Sequence, residues 1–330
     1  MINRGFWDKI KKPIFSMAPM LDVTDEAFRF MIAKYGSPDV LFTEFVSCDG
    51  LCSEGKDHII EKHLGFDESE RPIVAQLFGN NLDTFRESAK IIKELGFDGI
   101  DINTGCPQKN IIKQGAGSDL IRHPKLIKEI IKATKEGAGD LPVSIKTRIG
   151  FGKDETVGSR KPDNWVRTLL ETEPAVITIH GRTKKEMTLV PCHWDAIGRA
   201  VEIAKEYESS ENNRTLIFGN GDVWSLDDAK EKIKQYGVDG VMIGRGVFGN
   251  PWFFNPETKK EDLEIKEILK VILEHTRLFE KKLGKITSFN LMKKHYKAYV
   301  SGFDGARELR TKLMETKNAD EVEKIVKSWK

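Results

Sequence analysis

The stretch DINTGCPQKNIIKQGAGSDL, from Asp101 to Leu120, decides how this chain is read. It opens as the end of a short apolar strand, Gly99 to Asn103, and breaks at a polar turn that carries Asn103 and Cys106. Pro107 lacks the N–H that a sheet ladder needs, so the strand stops before it. Gly115 and Gly117 mark a loop whose backbone must bend or come close to a neighbour. A thiol in such a turn is poorly placed for core packing and well placed for chemistry, although free cysteine as a class is often buried and inert.

The other cysteines carry less. Cys48 and Cys52 lack further ligands at zinc spacing, and Cys192-His193 lacks a second Cys/His pair, so no metal is expected. Four scattered cysteines in 330 residues, with no signal peptide, do not read as a disulfide framework. The expected compartment is a reducing cytoplasm. Hydrophobic residues are 39% and charged residues 32%, and no apolar run approaches the length of a membrane span, which excludes a helical membrane protein.

Outward from the Cys106 turn, eight β-branched and apolar runs alternate with amphipathic stretches. The runs are Ile14–Ala18, Val40–Phe45, Ile73–Phe78, Gly99–Asn103, Val143–Arg148, Val176–His180, Leu216–Asn220 and Gly240–Ile243. Between them lie helical patterns such as Leu82, Phe85, Ala89, Ile92 and Leu95, with Gly96, Gly137 and Gly237 expected to close helices. Eight strand–crossover repeats in about 250 residues predict an α/β fold of the TIM (β/α)8 barrel type. No G-x-G-x-x-G follows the first strand, which counts against a doubly wound dinucleotide fold. From about Asp262 the pattern turns purely helical, so the expected organisation is a barrel over 1–258 and a small all-α domain over 259–330.

The polar residues fall at the carboxyl ends of the predicted strands. In chain order they are Pro19-Met20, Glu44, Gln76, Asn103 with Cys106, Lys146 and Arg148, His180 and Arg182, Asn220-Gly221-Asp222, and Gly244-Arg245. In a barrel these ends share one rim, where active sites of the fold lie. The glycine turns after strands seven and eight suit phosphate binding through backbone N–H groups, and Arg245 adds a charge-assisted contact. A flavin mononucleotide fits, with its phosphate at those turns and its ring over the barrel mouth. Taken singly, Lys146 and Arg148 could instead pair with Asp101 or Glu44, and His180 could be a core histidine.

Net charge is +2, but residues 261–330 carry +4 and the remainder −2. From Lys281 to Met314 there are nine basic residues and two acidic ones. Lys293, Lys294 and Lys297 sit at helical spacing beside Tyr296 and Tyr299, a mixture suited to phosphate neutralisation and base stacking. The alternative is a core-facing tyrosine pair with a solvated lysine face.

The ordered motifs A-P-M (18–20), A-Q-L-F-G (75–79), D-I-N-T-G-C-P (101–107), K-T-R-I-G (146–150), I-H-G-R-T (179–183), N-G-D (220–222) and I-G-R-G (243–246) resemble the tRNA-dihydrouridine synthases over nearly the whole chain. The resemblance implies an FMN-dependent oxidoreductase that takes electrons from NADPH and reduces the C5–C6 double bond of uridines in tRNA. It implies that Pro19, Met20, Leu21, Gln76, Lys146, His180, Asn220, Gly221, Asp222, Gly244 and Arg245 hold FMN. It further implies that Cys106 is the proton donor, that Asn103 and Arg148 lie near the uracil, and that Arg182 lies near the RNA backbone. Lys293, Lys294 and Lys297 are expected to contact tRNA. No membrane and no protein partner is implied.

Two stretches depart from the family pattern. Lys184 to Trp194 lacks the glycine expected near Val190-Pro191, and Phe151 to Asn164 is a long polar loop suited to tRNA contact or to solvent. A Schiff-base lyase using Lys146 would explain the phosphate turns but leaves Cys106 and the basic tail without a role. An RNA-binding barrel that has lost its chemistry has no need of Cys106 or the flavin set. A flavin barrel acting on free pyrimidines has no need of a basic helical region.

Overall fold

The eight apolar runs form eight parallel strands in a computed structural model that describes residues 2–152, 163–207 and 214–329. They are β1 (Ile14–Met17), β2 (Leu41–Ser47), β3 (Ile73–Phe78), β4 (Gly99–Asn103), β5 (Val143–Arg148), β6 (Val176–His180), β7 (Leu216–Asn220) and β8 (Gly240–Ile243). Neighbours in sequence are neighbours in the sheet from β2 to β8, and β8 pairs with β1. The ring closes where Met17 N donates to Val40 O at 3.1 Å, so the architecture is the expected TIM barrel. Its strands read as nearly unbroken apolar runs because both faces are buried, one by barrel-filling side chains and the other by helices.

Thirteen helices accompany the strands: α1 (Glu26–Tyr35), α2 (Cys48–Leu51), α3 (Lys56–His63), α4 (Leu82–Glu94), α5 (Lys109–Lys113), α6 (Pro124–Ala138), α7 (Asp163–Leu170), α8 (Trp194–Tyr207), α9 (Leu226–Tyr236), α10 (Ile265–Leu283), α11 (Asn290–Tyr299), α12 (Ala306–Glu315) and α13 (Ala319–Ser328), counted among the described residues. In α4 the Asn81 side chain caps the amino end by accepting from Asp83 N and Thr84 N. Phe85, Ala89 and Ile92 then form its buried stripe, and Gly96 takes φ +80 just past its end. Burying each of the two large side chains contributes about 1.5–3 kcal/mol. Gly237 closes α9 in the same left-handed way.

Gly137 does not cap a helix. It lies inside α6, where an added Cβ would stand 2.0 Å from Arg86 O of α4, and the chain leaves α6 at Gly139 with φ +64. The glycine is there so that two outer helices can touch.

Strand register determines which side chains meet. Gln76, Asp101 and Ser144 are level with one another across β3, β4 and β5. Asn103 is level with Lys146, and Arg148, His180, Asn220 and Met242 form a row from β5 to β8. The polar sequence positions are therefore stacked near the carboxyl ends of the strands.

Helices α10 to α13 bury Ile268, Leu269, Ile272, Phe279 and Leu309 in a second core that also takes Ala27 and Met31 from α1 and Trp252 from beyond β8. Tyr296 and Tyr299 belong to this core, which overturns the expectation that they stack on RNA bases. Both are fully buried, Tyr296 Oη hydrogen-bonded with Thr276 Oγ1 at 3.0 Å and Tyr299 Oη with His275 Nδ1 at 3.3 Å. Among the described residues no helix is long and apolar enough to cross a membrane.

His295 is sealed between Phe28 of α1, Phe248 and His275, and neither of its ring nitrogens has a partner. Burial pushes its pKa down to about 3, with Lys294 adding repulsion, so the ring is neutral in the folded protein. The unfolded chain takes up a proton below the ordinary value near 6.5 and the folded chain does not. Stability is therefore lost as pH falls from about 6.5 towards 3. Between pH 7 and pH 5 we expect wild type to lose about 2 kcal/mol more than His295→Phe. Urea unfolding at the two pH values checks this, and equal losses would mean that the histidine reaches water.

Candidate active site

Two backbone N–H groups hold the turn after β4. Gly105 N and Cys106 N both donate to Asn103 Oδ1, at 3.1 and 2.9 Å. Asn103 Nδ2 donates to Gln76 Oε1 at 2.9 Å, and Gln76 Nε2 donates to Asp101 Oδ2 at 2.7 Å. Ser144 Oγ completes the row by donating to Asp101 Oδ1 at 2.6 Å. From the other side, Arg148 Nε donates to Gly105 O at 2.7 Å. Gly117, with φ +61, lets the following loop return over the turn, since a Cβ there would stand 2.9 Å from Cys106 O.

The Cys106 side chain is more enclosed than its sequence setting suggested. It is 8% exposed and packs with Ile111 and Ala116 under Phe45 and Phe78. The turn leaves the Cys106 side chain packed among apolar neighbours instead of lifting it into solvent. Burial pushes its pKa up against the pull of Arg148 and Lys146, so the thiol is protonated at neutral pH.

The floor of the rim is strongly basic. Lys146 Nζ donates to Asn220 Oδ1 at 3.1 Å, and burial, aided by Arg148, brings its pKa down to about 8. Arg148 also reaches Thr183 O at 3.2 Å, and burial lowers it to about 10. His180 is held well below its ordinary value by burial and by Arg148 and Lys146, so it is neutral and offers one donor and one acceptor. Asp101 is pushed up to about 6 by burial, against the hydrogen bonds from Ser144 and Gln76.

A cleft opens beside this floor, lined by Pro19, Met20, Lys146, His180, Asn220, Gly221, Asp222, Gly244 and Arg245 from the expected cofactor set. At Gly221, with φ +116, a Cβ would stand 2.7 Å from His180 Cδ2, so the backbone there approaches the histidine closely. Asp222 bridges two arginines, Arg182 and Arg245, the latter at 2.7 Å. Burial opposes its ionisation, but the Arg182 hydrogen bond and the two cations keep it below its ordinary value. Arg245 is half exposed, and its guanidinium lies over the Trp224 ring, 5.2 Å from the centroid.

Not every expected residue lines this cleft. Gln76 is wholly buried in the barrel, and Leu21 lies on the loop after β1, where Asp22 N donates to the Glu44 carboxylate. Arg182 is 3% exposed and ties Val190 O to Asp222, which holds the 184–194 loop against the rim. In that loop Met187 holds φ +55 and Leu189 is 84% exposed. Most of the 151–164 loop, residues 153–162, lies outside the described residues. Lys294 and Lys297 are exposed and Lys293 is half-buried; Lys294 Nζ donates to Asp22 Oδ2 at 3.3 Å. Sequence reasoning missed Thr188 and the 58% exposed Trp224, which also line the cleft. It also missed Ser144 in the row behind Cys106; the signal was the alignment of β3, β4 and β5, which needs the register.

The chain resembles known proteins along almost its full length. The family model described as dihydrouridine synthase matches residues 16–329. A protein named "Probable tRNA-dihydrouridine synthase" in Staphylococcus aureus is 39% identical over 327 residues, covering 98% of this chain and 95% of the relative. "Probable tRNA-dihydrouridine synthase 2" of Bacillus subtilis is 38% identical over 328 residues, covering 98% and 96%. Among solved structures, morphinone reductase aligns with a TM-score of 0.51 at 12% identity, over 76% of this chain and 86% of its own. Histamine dehydrogenase from Rhizobium sp. 4-9 aligns at 0.52 and 13%, over 80% and 48%. At those identities the two structures share the fold.

The enclosed, protonated Cys106 thiol should react slowly with iodoacetamide at pH 7.5, and more slowly than the exposed Cys52. Peptide mass spectrometry over a time course checks the order. Cys106 labelling first would mean that the thiolate is stabilised at neutral pH.

Proposed function

The chain belongs to the dihydrouridine synthase family, and on that footing we propose that it works with FMN and NADPH and uses Cys106 as its acid. It is an oxidoreductase that reduces uridine to dihydrouridine in tRNA. The observation that carries the reading is the gathering on one rim of a protonated thiol, a basic floor and a cleft flanked by two glycine turns.

The cleft fits FMN in its chemistry. Arg245, beside Gly244, gives charge at the place where such barrels take a phosphate. Pro19, Met20, Lys146, His180 and Asn220 to Asp222 supply an apolar wall, a cation and neutral hydrogen-bonding groups for the ring system. Bound FMN supplies hydride transfer between NADPH and C6 of the uracil.

The chain's own residues do the rest. Hydride addition at C6 leaves negative charge shared between C5 and O4, and a proton must reach C5. Cys106 Sγ–H delivers it and is reprotonated from solvent, so one NADPH and one proton are consumed per dihydrouridine. Arg148 and Lys146 place positive charge where that electron density develops. Asn103 has both of its polar groups engaged within the chain, and it serves the substrate through the turn it shapes. Arg182 orders the 184–194 loop at the rim and acts on RNA through that loop.

Residues 259–330 are the tRNA-binding domain in this reading and 1–258 the catalytic one. Support comes from the +4 charge of 261–330 and from the Lys294–Asp22 contact, which sets the lysine face of α11 beside the β1 end of the rim. The site of action is the cytoplasm, with the tRNA.

The purified protein is expected to be yellow, with one FMN per chain. Cys106→Ala should keep the FMN and its reduction by NADPH but lose about 10²–10⁴ in the rate of uridine reduction. Stopped-flow measurement of the two half-reactions checks this, and equal slowing of both would make the cysteine structural. Neutralising Lys293, Lys294 and Lys297 together should weaken tRNA binding and flatten its salt dependence by about 0.7–0.9 log units for each phosphate no longer neutralised. Filter binding at several salt concentrations reads the slope, and an unchanged slope would move the RNA surface to the rim loops.

A further inference from the structure

Between the barrel interior and Cys106 runs an unbroken file of hydrogen bonds in which every group has a fixed direction. Ser144 Oγ and Gln76 Nε2 donate to the two oxygens of Asp101, at 2.6 and 2.7 Å. Gln76 Oε1 must then face Asn103, and it accepts from Asn103 Nδ2 at 2.9 Å. Asn103 Oδ1 must in turn face the loop, where it takes the Gly105 and Cys106 N–H groups. Gln76 and Asp101 are wholly buried and Ser144 and Asn103 nearly so.

An amide side chain has one donor end and one acceptor end, so a flip at any point of this file reverses every later member. Reversed, Asn103 would turn its NH2 group towards two N–H donors, and the turn would lose both bonds. The observed direction is selected from both ends, by the donor-only N–H groups of Gly105 and Cys106 and by the acceptor-only character of an ionised carboxylate at Asp101. We propose that Asp101, oriented by Ser144, is a positioning residue for the proton donor, acting through Gln76 and Asn103 as a polarity relay.

The inference rests on the functional reading above only for what Cys106 does; the relay itself is geometry. It also gives Gln76 a task separate from contact with a cofactor. Protonated Asp101 becomes a donor on one oxygen, which competes with Gln76 or Ser144 and removes the selection at that end, so the file is held less firmly. Its pKa of about 6 puts this change close to neutral pH. Around it stand Ser144 and Lys146 from β5 and Gln76 from β3, with Lys146 the charged side chain that acts on the carboxyl. Lys146 is itself still protonated throughout the window in which Asp101 titrates.

Two substitutions separate the relay from simple packing. Asp101→Asn keeps an acceptor towards Gln76, offers its NH2 to Ser144 Oγ, and no longer titrates. Asp101→Ala removes the acceptor. In wild type the reoxidation of the enzyme by tRNA should fall about tenfold per pH unit below pH 6. Asp101→Asn, which like protonated Asp101 presents one donor and one acceptor, should show at pH 7.5 about the lowered rate that wild type shows near pH 5, and should lose that acid limb. Asp101→Ala should lose on the order of 10²-fold in reoxidation, with flavin content and reduction by NADPH retained.

Amide hydrogen exchange of the peptide spanning Thr104 to Cys106, read by mass spectrometry at pH 7.5, is the second measurement and needs no activity. It should quicken about tenfold or more in Asp101→Ala and by a smaller factor in Asp101→Asn. An acid limb that persists in Asp101→Asn, or exchange unchanged in Asp101→Ala, overturns the relay. If Asp101→Ala fails to fold, the Asp101→Asn pH profile still decides. A wild type without flavin would defeat the functional reading instead, and the exchange comparison would still judge the relay.

Discussion

The side-chain carbonyl of Asn103 accepts two consecutive backbone N–H groups, and the active rim is organised around that contact. Gly105 and Cys106 lie just past the end of β4, beyond its ladder to β5. Buried N–H groups without partners would cost about 1–3 kcal/mol each. Asn103 meets that need from within the turn, which fixes where the Cys106 side chain emerges. Arg148 closes the same turn from β5 by binding Gly105 O, so the thiol is located from two strands at once.

Charge is arranged with the same economy. Lys146, Arg148, Arg182 and Arg245 share a small part of the rim, while Asp222 pairs with the two arginines and Asp101 lies beneath. Desolvation and mutual repulsion lower Lys146 and Arg148 and keep His180 neutral. The basic floor therefore concentrates positive charge in a largely desolvated setting. A cysteine in such surroundings would become a thiolate if exposed to the cations. Its enclosure with Ile111 and Ala116 against Phe45 and Phe78 works the other way and keeps the thiol protonated.

The strands were legible because burial on both faces writes itself as an uninterrupted apolar run between glycines and prolines, and the eight runs match the eight strands within a residue or two. The convergence of polar residues followed from their position after each run. What the sequence did not disclose needed distances. A glycine that lets two helices touch looks like a glycine that ends one, and Gly137 is the former. The spacing of Lys293, Tyr296 and Tyr299 announces a helix, but tyrosine suits a core as well as an RNA surface, and here the rings went inside. Ser144 joins Asp101 only through the alignment of β4 with β5, which no local pattern encodes.

The helical region is not an independent appendage to this rim. Its core is completed by Ala27 and Met31 of α1, and α1 follows directly on the loop that carries Pro19 to Asp22. Within that loop Asp22 holds φ +58, uncommon for a residue with a side chain. Two contacts fix it there: its N–H on the Glu44 carboxylate, which is itself bonded to His63, and its carboxylate on Lys294 of α11. The same loop presents Pro19 and Met20 to the cleft. Lys294 on Asp22, and His295 of α11 against Phe28 of α1, thus join the helical region to the loop that forms a wall of the cleft.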